Sequence, residues 1–391
     1  MIIPKLAVRN LLGAGIKTWL NAAVLSLSFV AIISAQGFYN GIDAEISRTL
    51  TEAEYGGGQF WVRGFDPFDP FTLQDAHAAL PPALRTMVEG GRATPILFVQ
   101  ATIYPNGRIR SVLLKGIDPA QKILSIPAAV LKPANGELPV LIGARMAAAT
   151  GLKKGDIVTV RWRDARGTFD AREVVVVEVM QTVAQSIDDG QVWLPLETLR
   201  TLAAMPGQAT IVVTARGSAA PAAVAGWDFR GLDYLLKDIK DLVAGKTIGA
   251  SIFYTILMFL AMLAVFDTQL LSIWRRRREI GTMMALGITR GRLVGLFTFE
   301  GALHAVFAAI LGGIWGLPLL YYFSVHGISF TGKQADSMGF ALSEGLYPIY
   351  SAALVLGTTI LVFGVTVIVS YLPARKIAKL KPTDALRGRM S

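Results

Sequence analysis

Ionisable side chains inside long apolar stretches are the residues of this sequence with the greatest scope for chemistry. Asp267 and Glu300 each lie eight residues from a cluster of arginines, and His304 follows Glu300 by one helical turn. Because a helix rises about 1.5 Å per residue, both acids would lie about 12 Å inside a bilayer boundary. They could pair with each other, carry protons, or hydrogen-bond between packed helices. Two acids near one boundary do not form a relay across the bilayer, so we favour packing.

Motifs for nucleotide binding and covalent catalysis are missing from the sequence. The GKT sequence at 245–247 lacks the earlier glycine of a phosphate-binding loop, because Lys240 occupies that position. There is no Gly-x-Ser-x-Gly sequence and no cysteine, and the three histidines are scattered. We therefore predict that the chain is not an enzyme and binds no metal, cofactor or nucleotide itself.

Four apolar stretches are long enough to cross a bilayer. The 391 residues are 53% hydrophobic and 17% charged, whereas a soluble domain has about 25% charged residues. About 20 apolar helical residues span the hydrocarbon core. The sequence predicts four spans, at residues 18–42, 246–273, 292–325 and 345–373. The first is longer than the roughly 7–15 apolar residues of a signal peptide, so we expect an uncleaved anchor.

Basic residues are concentrated beside those spans. Residues 41–245 hold 21 basic and 22 acidic residues, whereas three flanking segments together hold 15 basic and two acidic residues. Those segments are residues 1–17, 273–292 and 374–391. Basic residues mark the cytoplasmic side of a membrane protein, so the net charge of +10 predicts membrane flanks and no nucleic-acid partner.

This charge pattern also predicts the orientation of each segment in the membrane. Both termini lie in the cytoplasm, with residues 1–17 as an amphipathic helix on the inner face and residues 374–391 as a basic tail. Residues 274–291 form a cytoplasmic loop. The large domain of residues 43–245 and the short loop of residues 326–344 lie on the outer side of the membrane.

The predicted fold is an integral membrane α-helical protein with four transmembrane helices and a large α+β domain between the first two. Within that domain, alternation at 156–162 and a β-branched run at 173–180 predict strands. Two stretches, residues 54–63 (EYGGGQFWVR) and residues 65–71 (FDPFDPF), combine aromatic residues with glycine or proline. Their aromatics could touch a lipid-bearing ligand or pack in the core, and we favour packing. The candidate substrate-side residues of the first stretch are Tyr55, Phe60 and Trp61.

The loop between the second and third spans contains a short basic helix. In residues 273–293, Ile280, Met284, Gly287 and Ile288 recur at helical spacing and define one apolar face. Arginines at both ends hold this helix at the membrane surface. We predict that the apolar face points to the cytosol and is covered by a partner protein; the alternative is a helix that lies on lipid.

Several motifs resemble the FtsX/MacB-type ABC transporter permease family: RREIG at 277–281, ALG at 285–287, the tail at 372–387 and the opening LAVRNLL at 6–12. Residues 283–284 are two methionines where relatives often have a basic residue at the second position. In this family the loop is a coupling helix that docks on an ATPase. The resemblance implies that the ATPase-coupling residues are Arg277, Arg278, Glu279, Ile280, Gly281, Met284, Ala285, Leu286 and Gly287. The matching residues of the tail are Arg375, Pro382, Ala385, Leu386 and Arg387.

The resemblance also implies an inner-membrane machine with other subunits, whose large domain at residues 43–245 and short loop at residues 326–344 lie in the periplasm. Two copies of an ABC ATPase would bind the ATP and magnesium, and the second permease would be another copy or a paralogue. Residues 113–119 (LLKGIDP) and Gly37-Phe38 are similar to the lipoprotein-releasing LolC/LolE permeases. This similarity predicts extraction of a lipoprotein or other lipophilic substrate, with a possible periplasmic chaperone or adaptor. The alternatives are a MacB-like tripartite efflux permease and an FtsX-like signalling scaffold for cell-wall hydrolases.

Overall fold

The computed structural model describes residues 15–132, 136–180, 189–219, 221, 223–328 and 346–379. These residues divide into two compact units. The membrane unit contains the described residues up to 42, those of 242–328 and those from 346 onward. The outer unit contains the described residues of 43–241. The predicted helix of residues 1–17 and loop of residues 326–344 fall almost entirely outside the described residues.

We number the helices and strands of both units along the chain. The α-helices are α1 (Ile16–Leu50), α2 (Pro82–Glu89), α3 (Ala144–Thr150), α4 (Leu196–Leu202), α5 (Leu232–Leu235), α6 (Lys237–Arg275), α7 (Arg277–Ala285), α8 (Arg290–His326) and α9 (Ala352–Ala374). The strands are β1 (Gln59–Val62), β2 (Ala78–Ala79), β3 (Ala93–Ile103), β4 (Arg110–Ile117), β5 (Pro139–Gly143), β6 (Ile157–Arg163), β7 (Phe169–Met180), β8 (Gln191–Pro195), β9 (Gln208–Ala209), β10 (Ile211–Thr214) and β11 (Trp227–Arg230).

Four long apolar helices form the membrane unit. In the part of the chain that the structure describes, α1, α6, α8 and α9 are the helices long and apolar enough to cross a membrane. This confirms the predicted number of spans. The α1 helix has 35 residues and the α6 helix has 39. At about 1.5 Å per residue, both exceed the roughly 30 Å of a hydrocarbon core.

Small residues let the membrane helices approach closely. Gly312 and Gly316 of α8 face Phe29 and Val30 of α1, and a β-carbon built on Gly316 overlaps the Val30 side chain. In lipid, helix association depends on such close packing because burial of apolar surface gives no advantage over lipid tails. These contacts explain the glycines at positions 312 and 316 of α8.

A nine-stranded mixed sheet forms the centre of the outer unit. Its strand order is β11-β1-β10-β3-β4-β8-β5-β7-β6, and β3 also pairs with β6. The β4–β8 and β5–β7 pairs are parallel, and the other neighbours are antiparallel. The strands predicted at 156–162 and 173–180 correspond to β6 and β7. Residues of β6 alternate between buried and partly or fully exposed positions, which is the pattern of a strand with one covered face.

Candidate functional site

The candidate coupling helix α7 is held between two abrupt changes of backbone direction. Arg276 interrupts the helical path between α6 and α7, with φ −96° and ψ 12°. After α7, Gly287 adopts φ +90°, and a β-carbon built there meets no atom within 4 Å. Thr289 then starts α8 with extended backbone. Gly287 is therefore needed for its left-handed backbone, which disfavours side-chain-bearing residues whatever space surrounds it.

The apolar face of α7 packs inward, which corrects the predicted orientation. Ile280 is 0% exposed and Gly281 is buried. Met283 and Met284 pack partly against the same cluster. The buried members of this cluster are Ile273, Ile280, Leu293, Phe297, Ala374 and Ile377. The ends of three neighbouring helices therefore cover Ile280 and part of Met284, so a partner protein is not needed at Ile280, whereas Gly287 and Ile288 of the predicted face stay exposed.

The polar side of α7 and the turn of residues 286–289 that follows it are exposed. Leu286 is 79% exposed and Ile288 is 37% exposed. Ala285, Gly287, Arg278 and Glu279 are exposed as well, whereas Arg277 is half-buried. A large aliphatic side chain at the tip of a basic turn is therefore available for a protein contact. Of the predicted coupling residues, Ile280, Gly281 and Met284 contribute to internal packing instead.

Glu300 does not pair with the other intramembrane acid. Its carboxylate oxygens accept hydrogen bonds from the Nη1 of Arg276 at 3.1 and 3.3 Å. Arg276 Nε also donates to Glu279 of α7 at 3.0 Å, and its guanidinium lies 5.2 Å from the centre of the Phe297 ring. Asp267 is exposed. The alternative in which Asp267 and Glu300 pair with each other is therefore wrong for the described structure, because Glu300 pairs with Arg276 and Asp267 faces outward.

Next to Glu300, three membrane helices meet at a small residue. A β-carbon built on Gly301 of α8 overlaps Ser370 of α9 and comes 3.4 Å from the Cδ of Gln269 on α6. The Nδ1 of His304 lies 3.2 Å from the carbonyl oxygen of Gly301, on the same helix. His304 is thus buried beside Gly301 and is tied to the backbone of its own helix.

Four of the five predicted tail residues lie outside the described residues: Pro382, Ala385, Leu386 and Arg387. Arg375 is exposed and begins a short 3-10 helix, Arg375–Lys379. Ile377 in this helix is 0% exposed and packs with Ile280 and Phe297. The start of the tail is therefore anchored to the same cluster as α7.

The candidate aromatics of residues 54–63 belong to the interior of the outer unit. Phe60 is 1% exposed and Trp61 is 8% exposed, since both lie on β1, which pairs on both sides, with β10 and β11. Tyr55 is partly buried against the same core. The packing interpretation therefore holds for Phe60 and Trp61, and neither presents a surface to a substrate.

The other aromatic stretch is displayed on the surface. Phe68 is 79% exposed and Phe71 is 89% exposed. The Oδ1 of Asp66 accepts the Phe68 N–H, and the Oδ1 of Asp69 accepts the Phe71 N–H, both at 2.9 Å. Thr72 Oγ1 donates to the Asp69 carbonyl at 2.8 Å. The packing interpretation is wrong for these two phenylalanines: aspartates that repeat every three residues turn the chain so that both rings point outward.

An open cleft of about 990 Å³ lies beside this loop. Pro70 lines it, and the carbonyl oxygen of Pro70 accepts a hydrogen bond from Gln100 of β3 at 2.9 Å. Arg161 and Phe169 line the cleft from β6 and β7, with the guanidinium 4.6 Å from the centre of the aromatic ring. The cleft thus combines aromatic and cationic groups, which suits an amphipathic ligand.

Lys115 and Gly37, which belong to the motifs that predict lipoprotein release, have packing roles. Lys115 is 3% exposed, and its Nζ lies 3.1 Å from the Oε1 of Glu54 and about 5 Å from the ring centres of Phe98 and Trp193. In the membrane unit, a β-carbon built on Gly37 would overlap the ring of Tyr350. Both residues are explained by the fold alone, so they do not identify a substrate.

Two known protein families match successive parts of the chain. Residues 18–226 match the MacB-like periplasmic core domain, and residues 251–382 match the FtsX-like permease C-terminal domain. The first match covers more than half of the chain. The first match includes the first span and most of the outer unit, and the second includes the later spans.

Individual relatives are similar over part of their length. A macrolide export ATP-binding/permease protein MacB of Neisseria gonorrhoeae is 33% identical over 125 residues, which is 32% of this chain and 17% of that protein. The MacB of Shewanella sp. (strain W3-18-1) is 25% identical over 56% of this chain and 34% of its own length. An uncharacterized ABC transporter permease of Methanocaldococcus jannaschii is 28% identical over 40% of this chain and 36% of its own length. The chain therefore spans about a third or less of these relatives.

A solved structure also matches: the periplasmic region of MacB from Actinobacillus actinomycetemcomitans, with 13% identity and a TM-score of 0.32 over 50% of this chain and 98% of that chain. The four apolar helices and the α/β domain between the first two define a membrane protein with a periplasmic-type domain. With the family matches, the chain belongs to the FtsX/MacB-type ABC transporter permeases.

Proposed function

We propose that this chain is the permease of an ABC machine in which a separate ATPase subunit moves α7 and thereby drives work on a substrate outside the membrane. The exposed Leu286 at the tip of a basic turn is the observation that carries this proposal. A leucine in that position exposes its apolar surface to water unless a partner covers it. Burial of a leucine side chain stabilises a complex by about 1.5–3 kcal/mol. The arginines around it suit an acidic rim on the partner.

The charge pattern supports the proposed orientation of the chain in the membrane, and the family supports the proposed partners. The excess of basic residues beside the spans supports a cytoplasmic position for α7, where ATP is available. The ATP and magnesium would be held by two copies of the ATPase, and a second permease, identical or paralogous, would complete the machine.

For the substrate, we favour export of an amphipathic compound of the MacB type. The relatives named as macrolide exporters and the match to the MacB-like periplasmic core support this class. The aromatic and cationic lining of the outer-unit cleft suits such a compound. Release of lipoproteins is the second candidate, and it rests on the sequence resemblance to the LolC/LolE permeases alone, since Lys115 and Gly37 have packing roles.

Depletion of the protein in its own host tests the function. Export predicts greater sensitivity to amphipathic antibiotics, and lipoprotein release predicts lipoproteins retained in the inner membrane. A co-purifying cell-wall hydrolase would support the signalling scaffold instead. Unchanged drug sensitivity together with unchanged lipoprotein sorting would contradict both transport proposals.

We predict that the surface loop with Phe68 and Phe71 contributes to substrate contact. Changing both to serine should lower transport by about tenfold, because each removes an exposed apolar group that a ligand could bury. Stability should change little, since neither ring packs in the free protein. Transport by reconstituted protein measures the effect, with Ile109→Ser as the control for loss of another exposed apolar residue. Equal transport by the Phe68→Ser/Phe71→Ser variant and the control would argue against this contact.

A further inference from the structure

We propose that the Arg276–Glu300 ion pair is the link through which movement of α7 is passed to α8 during the transport cycle. This inference rests on the proposed function, in which α7 receives the force. Arg276 occupies the break between α6 and α7, and Glu300 lies within α8. Both are positioning residues, since neither would touch the substrate or ATP.

The geometry ties α7 and α8 through one guanidinium. Arg276 Nη1 donates to both carboxylate oxygens of Glu300, at 3.1 and 3.3 Å, while its Nε donates to Glu279 of α7 at 3.0 Å. The planar, rigid fork of an arginine holds two carboxylates in fixed directions, which a lysine cannot do. A displacement of α7 therefore changes the position of the group that Glu300 binds.

Burial makes this link stiff. Glu300 is 4% exposed, and the arginine packs over Phe297, which is 0% exposed. An ionised carboxylate in such surroundings is stable only while its partner stays in place. Ile280 of α7 packs in the same cluster, so the polar and apolar contacts of α7 to α8 move together.

The residue after Glu300 connects this link to the rest of the membrane unit. At Gly301, α8 approaches Ser370 of α9 and Gln269 of α6 without space for a β-carbon. The Oε1 of Gln269, the Oγ of Ser370 and the Nε2 of His304 are buried without hydrogen-bond partners among the described residues. Polar groups that are buried but unsatisfied favour rearrangement, because a small shift of α8 can give them new partners. The junction is thus suited to a second arrangement of the three helices.

A variant in which both members of the ion pair are uncharged, the neutral-pair variant, distinguishes transmission of movement from simple stabilisation of the fold. The double variant Arg276→Gln/Glu300→Gln keeps a hydrogen-bonding pair and avoids an uncompensated buried charge, so it should fold. The sequence has no cysteine, so Ile16→Cys in α1 and Tyr321→Cys in α8 can be labelled specifically with spin labels. Pulsed electron paramagnetic resonance then measures the distance between them in the complex with the ATPase, with and without ATP.

We expect ATP to shift this distance in the otherwise unaltered protein and the shift to be lost in the neutral-pair variant, although the ATPase still binds. The control is Glu45→Gln, which removes an exposed ion pair with Arg48 in α1 and should keep the full shift. An equal shift in the neutral-pair variant would overturn the link. Failure of the unaltered chain to bind the ATPase or to respond to ATP would instead contradict the proposed function.

Discussion

Replacing Leu286 by glutamate is expected to reduce ATP-driven transport at least tenfold without unfolding the protein. The side chain is 79% exposed in this structure, so the substitution removes no internal packing. In a docked complex the new carboxylate would be buried against the ATPase. Burial of an uncompensated charge costs several kcal/mol, and each 1.4 kcal/mol is a factor of ten in affinity.

Two measurements check the Leu286→Glu prediction: capture of the ATPase by the purified permease, and transport by the reconstituted complex. Ile109→Glu, which alters an exposed isoleucine of the outer unit, is the matched control and should retain capture. A Leu286→Glu protein that captures the ATPase as well as the control does would show that the turn after α7 is not a docking contact.

Replacing Gly301 by valine should strongly destabilise the membrane unit. A β-carbon at this position overlaps Ser370 on α9, so the helices must separate. Overpacking of this kind costs about 1–3 kcal/mol in a packed interior, and valine adds two methyl groups beyond the β-carbon. Thermal unfolding of the detergent-solubilised protein should show a lower midpoint, and transport should fall with it.

The Gly301→Val effect has a control and a rescue within the same bundle. Gly357 of α9 has no neighbouring atom within 4 Å of a built β-carbon, so Gly357→Val should be tolerated. Adding Ser370→Gly to Gly301→Ala should recover part of the stability that Gly301→Ala alone loses, because it removes the overlapping side chain. If Gly301→Val and Gly357→Val unfolded at the same temperature, the close approach at Gly301 would not exist in the membrane.

The membrane spans and several strands could be predicted because their signals are local. A run of apolar residues fixes a span whatever its neighbours are, and alternation at 156–162 reflects one covered face of β6. The fold class follows from these patterns. The strand order of the outer unit could not be predicted, because β4–β8 and β5–β7 pair strands that are far apart in sequence.

The candidate site was harder to predict because its details depend on which helices meet. The apolar face of α7 is visible in sequence, yet an apolar stripe can cover either the protein's own helices or a partner, and here Ile280 packs internally. The sequence does not show that Arg276 pairs with Glu300, because it is one of four consecutive arginines. Only the position of the break between α6 and α7 distinguishes it from the other three. The exposure of Phe68 depends on a turn stabilised by Asp66, which the repeat FDPFDPF suggests only once its packing is known.

Site-specific photo-cross-linking from α7 tests the coupling role most directly. A photoreactive amino acid placed at position 286 of the permease in cells that also contain the ATPase should yield a covalent permease–ATPase product. The same amino acid at position 280 should yield none, since Ile280 faces the chain's own helices. A product from position 280 with none from position 286 would contradict this orientation of α7. No ATPase product from either position would contradict docking itself.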